Sequence, residues 1–300
     1  MAPHVVIVGS ANMDLVGLSA RLPLPGETVL GDDFMMTPGG KGANQAIAAA
    51  RAGGQTVFLG AIGSDAFGVT INARLTAAGV DASGVRTSYG SSGVAVIMVD
   101  RSGENSIVVA PGANSSFTGL TESERRAIAE ADVLVCQLEI PVETVTEAMR
   151  AARAAGTRTI LNAAPARSLP EELLKNVDLL VVNETEASTI TGRSEIDMPA
   201  LLALVPRVVL TLSGSGSRYA DRSGTDAVVP AFPVEVLDTT AAGDAFTGAL
   251  SVAWGEGRPL VEAVRWANAA GAACVRHVGA SNALPTRDEI DALYASDPGA

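Results

Sequence analysis

The stretch Val5-Val-Ile-Val-Gly-Ser-Ala-Asn-Met-Asp14 begins with four β-branched residues and ends in polar ones. An unbroken apolar run of this length is typical of a strand that is buried on both faces of a parallel sheet. Similar runs recur along the chain and are separated by Ala-rich segments of helical length. The predicted strands are Val5–Val8, Thr56–Leu59, Val133–Gln137, Thr159–Asn162, Leu179–Val182 and Val208–Leu212. Their alternation with helices predicts an α/β fold with a mainly parallel central sheet.

The segments between these strands predict helices that flank the sheet. The predicted helices are Gly42–Ala52, Ala66–Ala78, Pro141–Ala155, Glu171–Lys175, Asp244–Trp254 and Leu260–Val275. Hydrophobic residues make up 47% of the chain and aromatic residues only 4%, so the core must consist mainly of Ala, Val, Leu and Ile. A chain of 300 residues is long enough for one α/β core with an appendage, and we expect a single domain over residues 1–300.

Two regions interrupt the alternation of strand and helix, at about residues 15–37 and 92–110. Their extended pieces are Leu15–Arg21, Glu27–Thr37, Gly93–Val99 and Asn105–Ala110. Between the last two stands Asp100-Arg-Ser-Gly103, which is typical of a hairpin turn. The four pieces predict a small antiparallel sheet apart from the main one, which would form a lid over a site at the strand ends.

Net charge and cysteine content exclude several classes of function. A net charge of −12 argues against nucleic acid or an anionic membrane surface as a partner. No segment approaches the ~18 apolar residues that span a bilayer, and the start of the sequence lacks the basic region of a signal peptide. Cys136 and Cys274 lie in apolar runs and have neither disulfide nor metal-site spacing. We therefore expect a soluble cytoplasmic protein.

The clearest chemical motif is Asp238-Thr-Thr-Ala-Ala-Gly-Asp-Ala-Phe-Thr-Gly-Ala249, where an apolar helix begins beside a carboxylate. The first N–H groups of a helix lack intrahelical partners and, with the helix dipole, attract an anion such as a phosphate. Gly243 allows close approach of the backbone, because it has no Cβ atom. Asp244 would act as a simple helix cap, or it would take a proton from a hydroxyl that attacks the phosphate. The motif indicates a phosphotransferase that acts on an alcohol.

Pro38-Gly-Gly-Lys-Gly-Ala-Asn-Gln45 is a second motif, in which adjacent glycines precede a predicted helix. The glycines permit a polar ligand to come close to the backbone, and Lys41 and Asn44 offer hydrogen-bond donors at the helix start. The motif differs from a P-loop, because Met35 takes the place of the first glycine and Gly42 that of the Ser or Thr. From these residues alone, both a ligand site and a purely structural turn stay open.

Polar residues follow several predicted strands, at the edge where open α/β sheets bind ligands. Asn12 and Asp14 follow the first strand and suit a polyol, although turn formation also explains them. Glu139 and the segment Asn183–Glu186 follow two other strands and are typical of solvated or helix-capping groups. Asn183 and Glu186 would alternatively organise a hydrated magnesium ion near phosphates. Thr211-Leu-Ser-Gly-Ser-Gly216 predicts a loop that suits either a nucleotide or a plain turn.

Taken in order, these motifs resemble those of the ribokinase family of PfkB-type carbohydrate and nucleoside kinases, from about Val5 to Leu293. The two family signatures are similar to Gly39–Gln45 with its following helix and to Asp238–Gly248. The resemblance implies a ribokinase-like three-layer sandwich with a small β-sheet lid, through which two subunits often pair as a homodimer. It also implies ATP-dependent phosphorylation of the 5-hydroxyl of D-ribose to ribose 5-phosphate, with Mg²⁺ and an activating K⁺ as cofactors.

The resemblance also implies roles for individual residues. Asp244 would be the catalytic base, with the backbone of Ala241, Ala242 and Gly243 as the anion hole. The sugar would contact Asn12, Asp14, Gly40, Lys41, Asn44, Glu139 and Asp244 itself. The nucleotide would contact Asn183, Thr211, Ser213, Gly214, Gly216 and Asn268, and Glu186 would hold Mg²⁺ through water. A monovalent cation such as K⁺ would lie beside Asp238, Thr240, Cys274, His277, Gly279 and Ala283.

Three residues depart from the family pattern. Ser213 stands where a glycine is usual, and His277 and Ala283 stand where the cation loop often has a basic and a hydroxyl residue. Two alternatives to a ribose kinase follow. The acceptor would be another pentose, a ketohexose or a nucleoside, for whose base Phe34–Met36 offer apolar contacts. A non-catalytic sugar- or nucleotide-binding regulator is disfavoured, because such a protein is expected to lose the base or the anion-hole glycine.

Overall fold

Strands and helices alternate along most of the chain in the computed structural model, which describes residues 2–296. The strands are β1 (His4–Val8), β2 (Asn12–Ser19), β3 (Gly31–Gly39), β4 (Gln55–Leu59), β5 (Ala61–Gly63), β6 (Arg86–Ser88), β7 (Gly93–Asp100), β8 (Asn105–Ala110), β9 (Val133–Cys136), β10 (Arg158–Asn162), β11 (Leu179–Asn183), β12 (Arg207–Thr211), β13 (Ser217–Asp221) and β14 (Asp226–Val229). The helices are α1 (Lys41–Arg51), α2 (Ala66–Ala77), α3 (Glu122–Ala129), α4 (Val142–Ala155), α5 (Glu171–Leu174), α6 (Glu184–Thr191), α7 (Met198–Leu204), α8 (Ala242–Gly255), α9 (Leu260–Cys274) and α10 (Arg287–Ala295). Short 3-10 helices span Gly112–Ser116 and Ser213–Ser215.

The central sheet has, among the described residues, eight strands in the order β14-β13-β12-β11-β10-β9-β1-β4. From β12 to β4 all neighbouring strands are parallel, whereas β13 and β14 add an antiparallel hairpin at one edge. The mainly parallel sheet predicted from the sequence is confirmed. The edge hairpin was not predicted.

The side chains of the sheet alternate between two hydrophobic cores. In β1, Val5 and Ile7 pack in one cluster with α1, α8 and α9, whereas Val6 and Val8 pack in the other with α4. All four side chains are fully buried, and burial of each contributes roughly 1.5–3 kcal/mol to stability. Helices therefore cover both faces of the sheet, and the three predicted layers are present.

A second sheet, with the strand order β3-β2-β7-β8, forms at the predicted lid. Its hairpin turns at Asp100, whose Oδ1 accepts the N–H groups of Ser102 at 2.8 Å and Glu104 at 3.1 Å. The prediction of an antiparallel sheet was wrong for one pair, because β2 and β7 are parallel. These strands begin side by side at Asn12 and Gly93, close to the end of β1, so both run outward in the same direction.

The carboxyl ends of β1, β9, β10 and β11 lie at one edge of the central sheet, because these strands are parallel neighbours. Helix α8 reaches this edge from one face of the sheet. Its Asp244 accepts a hydrogen bond from Asn44 of α1, which is 200 positions earlier in the chain. The two motifs that are most distinctive in the sequence therefore meet in space.

Candidate active site

The start of α1 lies directly against the turn that follows β1. A Cβ atom on Gly42 would lie only 2.6 Å from Ser10 N. Gly40 has a φ of 88°, and a Cβ atom there would lie 2.7 Å from Asn12 N. Glycine is therefore required at both positions, and this close approach brings Lys41 to the residues that follow β1.

Lys41 is surrounded by carboxylates. Those that act on it are Asp244, Glu139, Glu186 and Asp14. Burial lowers the pKa of the Lys41 ammonium, but the four carboxylates together outweigh burial, so this pKa lies above its ordinary value. Lys41 is therefore positively charged at neutral pH, within a site that has an excess of negative groups.

Asp14 responds most to this crowding. Burial, and then repulsion from Glu139 and Asp244, raises its pKa to about 7, although Lys41 opposes the change. The Asp14 carboxyl group is therefore only partly ionised at neutral pH, whereas an ordinary aspartate is fully ionised there.

Asp244 lies in the first turn of α8 and is only 9% exposed. Asn44 Nδ2 donates to its Oδ2 at 3.1 Å, and Gln45 Nε2 donates to its Oδ1 at 2.9 Å. Burial raises the pKa of Asp244, and this effect exceeds the opposite effects of Lys41 and the two amides. A carboxylate with fixed orientation and raised proton affinity is suited to general base catalysis.

Backbone donors are available beside this carboxylate. The residue before α8, Ala241, has a φ of 59°, and no side chain caps the helix. Ala242 N–H donates to Thr239 O at 3.3 Å, whereas the N–H groups of Gly243 and Asp244 have no hydrogen-bond acceptor within residues 2–296. A Cβ atom on Gly243 would meet nothing within 4 Å. The helix start is therefore open to an anion.

A cavity of about 240 Å³ lies at the start of α8. Its lining includes Lys41, Asn162, Asn183, Glu186, Thr211, Gly243 and Asp244. Residues from the predicted catalytic, nucleotide and magnesium groups thus share one cavity. The predicted sugar residues Asn12, Asp14, Asn44 and Glu139 do not line it. Asp14 and Glu139 act electrostatically on Lys41, and Asn44 donates to Asp244, whereas Asn12 accepts a hydrogen bond from Asn114.

Glu139 is held by the turn after β1 and by the start of α1. Its Oε2 accepts a hydrogen bond from Ser10 Oγ at 2.6 Å and from Lys41 N–H at 3.2 Å. The other oxygen, Oε1, has no hydrogen-bond donor in the described part of the chain. One oxygen of Glu139 therefore fixes the side chain, and the second is available to a ligand.

Asn183 and Glu186 form the capping box of α6. Asn183 Oδ1 accepts the N–H of Glu186, and Glu186 Oε2 accepts the N–H of Asn183, each at 2.8 Å. The helix-capping interpretation of these residues is confirmed. Both also line the cavity, and burial raises the pKa of Glu186.

The loop after β12 combines two unusual backbone conformations. Ser213 has a φ of 50° and Gly216 a φ of 93°. A Cβ atom on Gly216 would lie 2.2 Å from Val229 O, so only glycine fits there. Of the predicted nucleotide residues in this loop, Thr211 lines the cavity, while Ser213, Gly214 and Gly216 follow it in the 3-10 turn.

Asn268 makes internal hydrogen bonds through both ends of its amide. Its Oδ1 accepts from Ser217 Oγ at 3.1 Å, and its Nδ2 donates to Val229 O at 3.0 Å and Pro230 O at 3.2 Å. The side chain therefore holds α9 against the edge hairpin β13–β14. Its contact with a nucleotide stays a prediction.

The predicted cation loop is a compact cluster of backbone contacts. Asp238 Oδ1 accepts the N–H of Thr240 and its Oδ2 accepts the N–H of Gly279, each at 2.9 Å. Cys274 Sγ lies 3.7 Å from Thr240 O. Two further predicted residues, His277 and Ala283, are respectively exposed and buried in the same segment.

Three amide side chains near Asp244 were not identified as functional from the sequence. Gln45 Nε2 donates to Asn162 Oδ1 at 3.0 Å as well as to Asp244, and Gln45 Oε1 accepts from Gln137 Nε2. Gln45 belongs to the glycine motif, and Gln137 and Asn162 stand at the ends of β9 and β10. Position at the carboxyl end of a strand was therefore the available signal.

The donor groups that are present suit Mg²⁺ and K⁺ at different places. Within residues 2–296, no group of three or more His, Cys, Asp or Glu side chains is arranged to hold a metal ion. Mg²⁺ usually keeps several waters and needs only one or two carboxylates, so Glu186 is adequate for it. Asp238 and the backbone carbonyls of its loop are oxygen donors of the kind that suits K⁺.

Comparisons with known proteins all point to one family. The model of the pfkB family carbohydrate kinases matches residues 2–287. The chain is 41% identical to the ribokinase of Bacillus subtilis (strain 168), over 97% of this chain and 99% of that protein. It is 38% identical to the ribokinase of Haemophilus influenzae, over 96% of this chain and 97% of that protein.

Solved structures agree with this comparison. The ribokinase of Arabidopsis thaliana complexed with ribose and ATP superimposes with a TM-score of 0.92 at 33% identity, covering 99% of this chain and all of that one (100%). The Thermotoga maritima ribokinase gives a TM-score of 0.90 at 33% identity, covering 98% and 100%. The predicted fold class is therefore confirmed. None of the helices in the part of the chain described is long and apolar enough to cross a membrane.

Proposed function

The chain belongs to the pfkB family of carbohydrate kinases, and on this premise we propose that it transfers the γ-phosphate of ATP to the 5-hydroxyl of D-ribose. One observation carries the proposal. Asp244, a buried carboxylate, shares a helix turn with the unpaired N–H groups of Gly243 and Asp244 itself. A proton acceptor and an anion site are thus combined, as transfer of a phosphoryl group to an alcohol requires.

In the proposed reaction, Asp244 accepts the proton of the 5-hydroxyl as that oxygen attacks the γ-phosphorus in line. A new bond forms between the 5-oxygen and the γ-phosphorus. The bond between the γ-phosphorus and the oxygen that bridges it to the β-phosphorus breaks, and ADP leaves with the electron pair of the broken bond. Asn44 and Gln45 keep the carboxylate oriented. The N–H groups of Gly243 and Asp244 meet the charge that develops on the transferred group, so positioning and electrostatics supply most of the catalysis.

The sugar is proposed to bind between the turn after β1 and the start of α1. Asn12 and Asn44 offer amide groups, and the carboxylates of Asp14 and Glu139 accept hydrogen bonds from hydroxyls. The backbone at Gly40 and the ammonium of Lys41 add donors. The hydrogen bond from Ser10 to Glu139 supports this proposal, because it already holds one of these polar groups in place.

The nucleotide is proposed to lie along Asn183, Thr211 and the turn of Ser213, Gly214 and Gly216, near Asn268. Glu186 would hold Mg²⁺ through water, and bound Mg²⁺ neutralises charge on the phosphates. Asp238, Thr240, Gly279 and their neighbours would hold K⁺ at the start of α8, where a cation adds to the positive potential of the helix end. The donor groups described above support both assignments.

The second sheet is proposed to act as the lid and as the contact of a homodimer. Several apolar side chains of this sheet are exposed, among them Phe34 (57%), Ile107 (54%) and Val108 (69%). Exposed apolar side chains on a sheet are typical of an interface or of a surface that closes over a ligand. We place the protein in the cytoplasm, which two free cysteines support.

The test is ADP release from MgATP with ribose, deoxyribose, fructose and adenosine as acceptors, with and without K⁺. We expect the highest kcat/KM with ribose, and an increase with K⁺. A preference for adenosine would instead identify a nucleoside kinase that uses the exposed Phe34 to contact the base. Absence of turnover with every acceptor would contradict the proposed function.

A further inference from the structure

Asn114 is a buried side chain at the base of the lid. It lies in the 3-10 helix Gly112–Ser116, shortly after the last lid strand, and is only 1% exposed. Its Oδ1 accepts the N–H of Ala11 at 2.9 Å. Its Nδ2 donates to Ala11 O at 3.2 Å and to Asn12 Oδ1 at 2.7 Å. Asn114 is therefore bound to the turn in which the proposed sugar site begins.

These contacts determine which way both amides face. A backbone N–H can only donate, so the atom of Asn114 that faces Ala11 N must be the oxygen. The nitrogen of Asn114 then faces Asn12, and because it can only donate, the atom of Asn12 that it meets must also be an oxygen. The orientation of Asn12 thus follows from a fixed backbone donor.

The nitrogen of Asn12 is consequently left for a ligand. Asn12 is 3% exposed, yet its Nδ2 has no acceptor within residues 2–296. Within residues 2–296, the buried side-chain atoms without a hydrogen-bond partner are Asn44 Oδ1 and Gln137 Oε1. Asn12 Nδ2 therefore belongs to the small accessible part of its side chain, where an acceptor on a ligand can reach it. A Cβ atom on Gly93 would lie 2.2 Å from both Asn114 Nδ2 and Asn12 Oδ1, so glycine there leaves room for their hydrogen bond.

We infer that Asn114 is a positioning residue that makes Asn12 a hydrogen-bond donor to the sugar, next to the acceptor Asp14. Asn12 and Asp14 are two positions apart on β2 and so lie on the same face of that strand. Gly39 pairs with Asn12, and a Cβ atom on Gly39 would lie 2.1 Å from Asp14 Oδ2, so glycine there leaves room for the Asp14 carboxylate. A donor beside an acceptor matches two neighbouring hydroxyls, one of which accepts while the other donates. This inference rests on the proposed function.

The experiment is calorimetric titration of ribose and, separately, of MgATP into the full chain, with turnover measured in parallel. Asn114→Asp keeps the acceptor for Ala11 N–H but replaces the donor to Asn12 with an oxygen. Asn12 should then rotate and present its own oxygen to the sugar. We expect the Kd for ribose to rise about tenfold or more, while the Kd for MgATP stays unchanged.

Two further variants control this result. Asn12→Asp keeps the hydrogen bond from Asn114 but loses the donor to the sugar, so it should weaken ribose binding even if Asn114→Asp folds poorly. Ser115→Ala changes the same turn, where Ser115 Oγ donates only to Gly112 O at 2.7 Å, and should bind like the wild type.

Three outcomes would overturn the inference. The first is an unchanged Kd for ribose in Asn12→Asp. The second is an equal loss of ribose and MgATP affinity with a lower melting temperature in Asn114→Asp, which would indicate a purely structural role. The third is a wild type that does not bind ribose, which would overturn the proposed function as well. Ribose turnover by the wild type distinguishes this last case from the other two.

Discussion

Asp244 is the residue whose surroundings most directly predict an effect on turnover. Asp244→Asn removes the proton acceptor with little change in volume, so kcat should fall by about 100- to 10,000-fold. The KM for ribose should change little, because the loss concerns the transition state. Steady-state ADP release measures both. Ser251→Ala is the control in the same helix, since Ser251 Oγ donates only to Gly248 O at 2.6 Å. Retained turnover in Asp244→Asn would contradict the assignment.

Asp14 predicts a dependence of stability on pH. Its pKa is about 7 in the folded chain and 3.8 in the unfolded chain, so folding favours the protonated form. The contribution of Asp14 to the free energy of unfolding should therefore fall as pH rises from about 4 to about 7, by ~4 kcal/mol at most, and then level off. Asp14→Asn cannot ionise and should gain stability relative to the wild type over the same range.

Urea unfolding of both proteins without ligands, at several values between about pH 5 and about pH 9, measures this difference. The linkage predicts that the variant is more stable than the wild type above neutral pH and that the gap narrows in acid. A gap that does not change with pH would show that Asp14 is ionised in the folded chain at all of these values.

Of the three glycines in α8, Gly243 and Gly248 have opposite surroundings. Gly243 faces open space, so Gly243→Ala should leave the melting temperature unchanged or slightly raised. The new methyl group would occupy the space proposed for the phosphate, and kcat/KM should fall about tenfold or more. Thermal unfolding and ADP release on the same samples measure the two effects.

Gly248→Ala is the matched comparison within that helix. Its Cβ atom would lie 2.5 Å from Ala48 Cβ and 2.8 Å from Ala49 N, so α1 and α8 would have to separate. We expect a loss of about 1–3 kcal/mol in the free energy of unfolding. Loss of stability in Gly243→Ala as well would indicate that the glycine is needed for the fold and not for an anion.

Two hairpins show how far local sequence predicts an element. Asp-Arg-Ser-Gly occurs at Asp100–Gly103 and again at Asp221–Gly224, and both make the same turn. Asp221 Oδ1 accepts the N–H groups of Ser223 at 2.8 Å and Thr225 at 3.1 Å. Only the first turn was predicted, because long apolar strands flank it. The second joins short strands of mixed polarity, although its turn residues carried the same signal.

For the molecule as a whole, the exposed second sheet, which is the proposed lid, predicts self-association. Ile107 and Val108 face opposite sides of β8 and are 54% and 69% exposed. If the side that carries Ile107 forms the homodimer contact, Ile107→Glu should give monomers. If the side that carries Val108 forms it, Val108→Glu should do so, because a charge is costly to bury in such a contact. Light scattering after gel filtration measures the mass. Val228→Glu, which is 69% exposed outside the lid, should elute like the wild type, and a monomeric wild type would contradict the proposal.

Periodicity predicted the layers of the molecule, but it did not predict which distant side chains pair. Strands such as Val5–Val8 are recognisable because burial on both faces leaves an unbroken apolar run. The hydrogen bond between Gln45 and Asn162 joins residues 117 positions apart, and the sequence around either residue does not identify the other as its partner. The parallel pairing of β2 with β7 was missed for the same reason, since strand direction depends on where each strand begins in space.

The distance along the chain between Asn44 and Asp244 has a consequence for biosynthesis. A ribosome makes Asn44 and Gln45 long before it makes α8, which supplies the carboxylate that accepts hydrogen bonds from both amides. Until α8 emerges, a nascent chain has polar side chains inside an incomplete core and lacks the helix that packs on α1. We expect stable tertiary structure to appear late in translation, and a message truncated before codon 242 to yield a chain that proteases remove.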